Sequence, residues 1–396
     1  MKTSIPRYGS LILLTAFVKL LSAQNIITEQ AALDSAMKYS PLLKSAELQV
    51  KQSTYLRKTA FNLPNPEVIA ESPTGDFYAV GILQSIEFPT VYIKQGQLLK
   101  QQALLSEKGK ALAVNEITRL IRSVYLNTQY SQQLIIQLKF QDSLYNQIQL
   151  SAKRQFDAGV IDYLAKTFAE SQYGEIHNQL VRAQNTYQAH VEQLKLYTGI
   201  STKSSVSQLL KLSVPTVQAD TSSVTQSPFV QYARQNQLVN QKQLSVERNR
   251  ALPGLVWGYL NQGAKETETY YRFRAGFTIP LWFWQYNGNI KAAKTGLQMA
   301  RQQTQAQKQQ LTADLQTAIS EYNSALQAVT YYETSGLRQA DDIINTARRF
   351  FESGRTDYIA YIRNINDAYT IKLTYLETLR NYNQSIININ YITGDL

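Results

Sequence analysis

Two short motifs hold the residues best suited to do chemistry. Phe156-Asp157-Ala158-Gly159-Val160-Ile161-Asp162-Tyr163 and Phe351-Glu352-Ser353-Gly354-Arg355-Thr356-Asp357-Tyr358 repeat one pattern at an offset of 195 residues. Each sets a glycine between an aromatic ring and a carboxylate. The chemistry on offer is electrostatic. Asp157, Asp162, Arg355 and Asp357 can form ion pairs between adjacent helices. Exposed pairs contribute only about 0–1 kcal/mol each, so several would have to act together. Gly159 and Gly354 permit a sharp turn, and Phe156 and Phe351 suit packing inside it. A second charged set, Arg272 and Arg274, lies within residues 271–281. There Tyr271, Phe273, Ala275, Phe277, Ile279 and Leu281 share one strand face, and the arginines share the other with Gly276, Thr278 and Pro280.

Catalytic chemistry finds little support. The chain has no Cys and two His, His177 and His190. Their separation of thirteen is not metal-ligand spacing. There is no Gly-rich phosphate loop and no His beside a nucleophile motif. These features argue against an enzyme, a cofactor or a metal centre. The net charge of +11 is spread along the chain rather than gathered in runs, as on a solvated surface facing anionic lipid headgroups; nucleic acid is not expected.

The N-terminus looks like an export signal. Lys2 and Arg7 precede the apolar run Leu11–Val18, and Ser22-Ala23 offers a small-residue cleavage site; the alternative is a buried N-terminal helix. Without Cys, the mature N-terminus has no acceptor for a lipoprotein anchor. No later run of about 20 apolar residues exists, which argues against transmembrane helices.

Helices must position the two charged motifs. Thr28 caps a first helix, and Ser40-Pro41 starts another that Leu63-Pro64-Asn65-Pro66 stops. Short strands are expected over Glu67–Glu71 and Phe77–Phe88, ended by Pro89. A single helix then spans Tyr92 to about Phe156, with Ile117, Leu120, Ile121, Val124 and Tyr125 at helical spacing. After the Gly159 turn a helix returns over Tyr163–Tyr197. The programme then repeats. Ser227-Pro228 starts a helix, Leu252-Pro253-Gly254 stops it, strands occupy Leu255–Tyr259 and Tyr271–Leu281, and a second long helix covers Gly288 to about Phe350. The implied organisation is a signal at 1–23, a first repeat at 24–205, a linker at 206–226 and a second repeat at 227–396, with small insertions in the second strand pair. The fold class is mainly α with a small β part.

Four two-faced strands cannot close a barrel, and open edges are not tolerated in lipid. A membrane reading therefore requires copies of the chain to complete each other. A helix of roughly 95 Å is likewise unstable alone and needs neighbours.

The order of these features resembles the TolC family of outer-membrane efflux channels over nearly all of the chain beyond the signal. The resemblance rests on Leu33-x-x-Ala36 followed by Ser40-Pro41, Leu63-Pro64-Asn65-Pro66-Glu67, Gln84-Ser85-Ile86-Glu87-Phe88, both Phe-x-x-Gly tips and both Thr-Gly ends. It implies a homotrimer in the outer membrane with a 12-stranded barrel and a helical periplasmic tunnel, docking to a periplasmic adaptor and an inner-membrane pump. Glu87-Phe88-Pro89-Thr90-Val91-Tyr92 is most similar to members found beside heavy-metal cation pumps of the resistance-nodulation-division type. In the family the tip glycines lie where the tunnel narrows and the adaptor docks, so Phe156, Asp157, Gly159, Asp162, Phe351, Gly354, Arg355 and Asp357 become gate and docking candidates. Arg272 and Arg274 would line the barrel lumen, the alternative being headgroup contact. Pro89 and Pro280 would mark the bends from strand to helix. Many members carry Asp six residues after the tip glycine; here Ala165 and Ala360 stand there, with Arg363 one turn on, so an acidic aperture is not expected. An exported coiled-coil scaffold or adhesin without a pore stays open as the alternative; it explains the helices but not the duplicated strand pairs.

Overall fold

The computed structural model describes residues 26–72, 77–200, 205–213, 222–264 and 270–395. The expected signal and part of the expected linker lie outside these residues. Local chemistry sets the helix starts. Thr28 Oγ1 accepts the Ala31 N–H (3.2 Å) ahead of α1 (Glu29–Tyr39). Ser40 Oγ accepts the Leu43 N–H (3.3 Å) ahead of α2 (Pro41–Leu56). Proline costs nothing at the first helical position, where the N–H has no partner in the helix.

Helix α3 (Pro89–Asp157) runs for 69 residues, about 100 Å at ~1.5 Å per residue. It starts at Pro89, earlier than the expected Tyr92, because the Tyr92 phenol accepts the Glu87 N–H (3.0 Å) and steadies that first turn. Helix α4 (Tyr163–Thr198) returns along it and stops at Gly199, whose φ of +69° is left-handed. The later helices are α5 (Ser222–Gln226), α6 (Pro228–Arg250), α7 (Phe283–Tyr331), α8 (Leu337–Glu352) and α9 (Tyr358–Thr393). The second long helix was expected to run unbroken from Gly288. It begins at Phe283 and is interrupted by a π turn at Tyr332–Gly336. A Cβ at position 336 would sit 2.8 Å from Tyr332 Cδ1, so glycine makes room for the widened turn. Helix α3 is the hub and packs on α2, α4, α6 and α9, while α7 and α8 pack along α9.

Strands β1 (Glu67–Glu71), β2 (Phe77–Ile86), β3 (Gly254–Ala264) and β4 (Tyr270–Thr278) form one antiparallel sheet in the order β1-β2-β3-β4. One row of partners runs Val68, Ile82, Tyr259, Phe273, and another runs Glu67, Leu83, Gly258, Arg274. Side chains of directly paired residues share a face, and the face flips with each step along a strand. Strand β3 extends past the expected Tyr259 because Asn261–Ala264 pair with Phe77–Val80. Strands β2 and β4 end earlier than expected, at Ile86 and Thr278, so Pro280 lies beyond the ladder and deprives it of no donor.

Candidate functional site

The two tips are built alike at the backbone. In the first, the Gly159 N–H donates to Phe156 O (2.9 Å) and the Val160 N–H to Gln155 O (2.8 Å). In the second, Gly354 donates to Phe351 O (3.0 Å) and Arg355 to Phe350 O (2.8 Å). Both glycines are left-handed, with φ of +73° and +71°, a conformation that costs other residues roughly 1–2 kcal/mol. Asp162 Oδ1 then accepts the Ala165 N–H and Asp357 Oδ1 the Ala360 N–H, each at 2.7 Å, which caps α4 and α9.

This capping gives two of the tip carboxylates a role inside their own helices. Asp157, Asp162, Arg355 and Asp357 form no ion pair with one another or with another side chain of the same chain, among the described residues. Asp162 and Asp357 are occupied by helix amides, and Asp157 and Arg355 point to solvent, with Arg355 over the Phe350 ring (5.9 Å).

Side chains break the likeness of the tips. Phe156 meets Tyr163 edge-on at 5.9 Å, and Lys166 Nζ lies 5.1 Å over the Phe156 ring. Phe351 meets Tyr358 edge-on at 5.0 Å and stacks on Tyr361 at 4.6 Å. Tyr163 is 66% exposed, whereas its counterpart Tyr358 is 5% exposed and donates to Ile148 O (2.5 Å). Tyr358 thereby joins the cluster that packs α3, α4, α8 and α9 together near the tips, with Tyr145, Ala169, Ile344, Ile362 and Tyr369. The first tip instead leaves Val160, Tyr163 and Leu164 on the surface.

At the other end, the sheet has one apolar and one mixed face. Val68, Val80, Ile82, Trp257, Tyr259, Phe273 and Phe277 share the first and are all exposed, Phe273 by 87%. Arg272, Arg274, Glu67 and Glu71 share the second and are exposed too. Strands β1 and β4 each have one unpaired edge. Pro89 opens α3, and Pro280 sits in the short connection between β4 and α7, where Leu281, Trp282, Phe283 and Trp284 follow, all exposed. Among the described residues, no helix is long and apolar enough to cross a membrane, and no group of three His, Cys, Asp or Glu could hold a metal ion. His177 faces Asp142 (2.9 Å), and His190 faces Ser131 (2.7 Å).

Residues 222–395 match the family described as outer membrane efflux protein. That stretch is 174 of the 396 residues and takes in α5 to α9 with β3 and β4. The efflux-protein fold extends over the rest. The CmeC outer membrane channel of Campylobacter jejuni superposes with a TM-score of 0.76 at 17% identity, covering 100% of this chain and 94% of its own. CusC superposes with a TM-score of 0.79 at 14% identity, covering 92% and 91%. The open-state MtrE channel of Neisseria gonorrhoeae reaches 0.73 at 12% identity, covering 92% and 88%. No curated protein sequence matches the chain. The resemblance to the TolC family is borne out, and these neighbours are channels rather than enzymes.

Sequence reasoning missed the residues that tie the middle of the molecule together. The Tyr125 hydroxyl donates to Ile27 O (2.7 Å) and accepts the Ser207 N–H (3.2 Å). Asn383, 2% exposed, donates to Leu210 O (2.8 Å) and accepts the Leu212 N–H (3.0 Å), so its amide acts as a strand partner for residues 210–212. Lys211 reaches Glu333 in the π turn (2.8 Å). A buried Asn facing a Ser- and Val-rich segment is a weak signal without coordinates.

Proposed function

We propose that the chain is the outer-membrane duct of a tripartite efflux system. Three copies assemble and conduct substrates passively from an inner-membrane pump, of the resistance-nodulation-division type, through a periplasmic adaptor to the exterior. The sheet carries this reading. Most of its apolar face is exposed and its two edges are unpaired. Lipid accepts the face but not the edges, so copies must pair edge to edge until the sheet closes. Three copies of four strands supply twelve. The helical hairpins then extend from the barrel as a tunnel into the periplasm.

In this reading Pro89 and Pro280 mark the bends from barrel to tunnel, and Arg272 and Arg274 face the lumen. The adaptor meets the tips, where the exposed Val160, Tyr163 and Leu164 offer apolar contact beside Asp157 and Arg355. With Ala165 and Ala360 behind the tip glycines, the aperture carries no acidic ring at that level. Substrate choice then rests with the pump.

The test is direct. The protein should fractionate with the outer membrane, give a detergent-corrected mass of three chains, lose that mass on heating, and conduct ions in planar bilayers. A soluble elongated dimer would overturn the reading in favour of a scaffold. Reversal potentials test the aperture separately, and strong cation selectivity abolished by tip substitutions would refute the non-acidic gate.

A further inference from the structure

The mixed face of the sheet is not randomly charged. Both of its acids in β1, Glu67 and Glu71, sit on one free edge, and both of its arginines in β4, Arg272 and Arg274, sit on the other. All four are exposed, and none has an ion-pair partner within the chain among the described residues. The described side chains between them are neutral on this face, with Gly81, Leu83 and Ser85 in β2 and Gly254, Val256, Gly258 and Leu260 in β3. An acidic edge and a basic edge on the same face are complementary only to another copy of the same sheet, joined β4 to β1.

Barrel geometry then selects which charges meet. Strands in a closed barrel tilt by roughly 35–45°. With ~3.3 Å per residue and ~4.8 Å between strands, a twelve-stranded ladder climbs roughly 12–17 residues in one circuit. Each of three copies contributes about a third of that climb, and only an even step keeps lumen residues on the lumen face. The step is therefore about 4 or 6 residues. Without a step, the row Glu67, Leu83, Gly258, Arg274 would continue onto Glu67 of the next copy. A step of ~4 residues sets Arg274 directly opposite Glu71 and lays β1 along Arg274–Thr278. A step of ~6 residues leaves Glu71 diagonal to Arg274, still within reach of a long side chain. A step of ~4 residues in the opposite sense sets Glu67 opposite Tyr270 and leaves neither arginine directly opposite an acid.

We infer that Arg274 of one copy and Glu71 of the next form a charge clasp on the lumen side of each seam, and that this clasp fixes the register in which a second copy joins. The inference rests on the trimeric duct reading. It gives Arg274 a partner in the assembly, so the arginine does not add its full charge to the lumen. It also disfavours a twofold dimer joined edge to edge at β4, in which the arginines of the two copies would repel.

The chain has no cysteine, so each introduced pair reports one contact. The full-length protein carrying E71C with R274C should form disulfide-linked trimers in the outer membrane, and E67C with R274C should not. R274E alone and E71R alone should each lower the temperature at which the detergent-solubilised trimer dissociates, and R274E with E71R should recover most of the loss. Efficient linkage at E67C, or a double reversal no better than either single one, would overturn the clasp while the wild-type trimer stands. A wild-type protein that is not a trimer would overturn the duct reading itself.

Discussion

The packing near the tips contains two buried tyrosines whose hydroxyls face opposite circumstances, and this predicts substitutions of opposite sign. Tyr145 is 0% exposed and its hydroxyl has no hydrogen-bond partner among the described residues. Burial pushes its phenol well above the ordinary range. Tyr358, in the same cluster, donates its hydroxyl to Ile148 O. A buried hydroxyl without a partner costs about 1–3 kcal/mol, whereas a satisfied one contributes about 0.5–1.5 kcal/mol. Removing the oxygen leaves each ring in place. Tyr145→Phe should therefore stabilise by ~1 kcal/mol and Tyr358→Phe should destabilise by ~1 kcal/mol. At roughly 2–4 °C per kcal/mol for domains of 150–250 residues, with larger chains at or below the low end, each variant moves the melting temperature by about 2 °C. The assay is thermal unfolding followed by far-UV circular dichroism in one detergent at one scan rate, since membrane assemblies often unfold irreversibly. A fall in Tyr145→Phe as large as that in Tyr358→Phe would refute the reasoning, because it would mean that a bound water satisfies the Tyr145 hydroxyl.

Further outcomes follow from the turns, the phenols and the central clip. Gly159→Ala and Gly354→Ala should each cost only the left-handed backbone penalty of ~1–2 kcal/mol, since a Cβ meets nothing within 4 Å. Gly394→Ala should cost clearly more in the same melting assay, because its Cβ would lie 2.5 Å from Pro228 Cδ; equal losses would refute the steric account. Burial pushes Tyr369, Tyr382 and Tyr391 up to about 12 from an ordinary value near 10.0. The fold favours their neutral forms, so this stability is whole below pH ~10 and drains away as pH rises toward ~12. Melting temperature should accordingly be flat around neutral pH and fall above pH ~10, and a flat profile to pH ~11 would count against it. Asn383→Ala removes both bonds to residues 210–212 and should cost ~1–3 kcal/mol. It should also speed amide exchange of Leu212 selectively.

The long helices were legible because their buried positions repeat at helical spacing over many turns, as Ile117, Ile121 and Val124 do. The strand ends were less so. Asn261-Gln262-Gly263-Ala264 lacks apolar alternation and looks like loop, yet pairing with the edge of β2 draws it into the ladder. At the tips the glycines and aromatics were visible as a pattern, but the capping role of two carboxylates was not. Asp162 and Asp357 each stand one residue before a helix, where the amide three residues on competes for the carboxylate at closer range than any arginine. The fate of Tyr163 and Tyr358 was invisible for another reason. The two share a local sequence and a local fold, and only the tertiary packing of α3, α4, α8 and α9 exposes one and buries the other.

The π turn at Tyr332–Gly336 accounts for a mismatch between the halves. Glu67 and Gly254, which open the first strand of each pair, are 187 residues apart. The buried Ile117, Ile121 and Val124 stand 194 residues before Leu311, Leu315 and Ala318, yet Tyr145 and Ala152 stand 195 before Ala340 and Ala347. Most of the extra length was thus absorbed around the second strand pair, as expected, but one residue entered the second long helix. A single insertion in an α-helix would rotate everything beyond it by about 100°, turning the buried stripe of α8 away from α9 and misaiming the tip. The wide turn swallows that residue instead. It is a scar of length, healed locally, which keeps the buried stripe of α8 against α9.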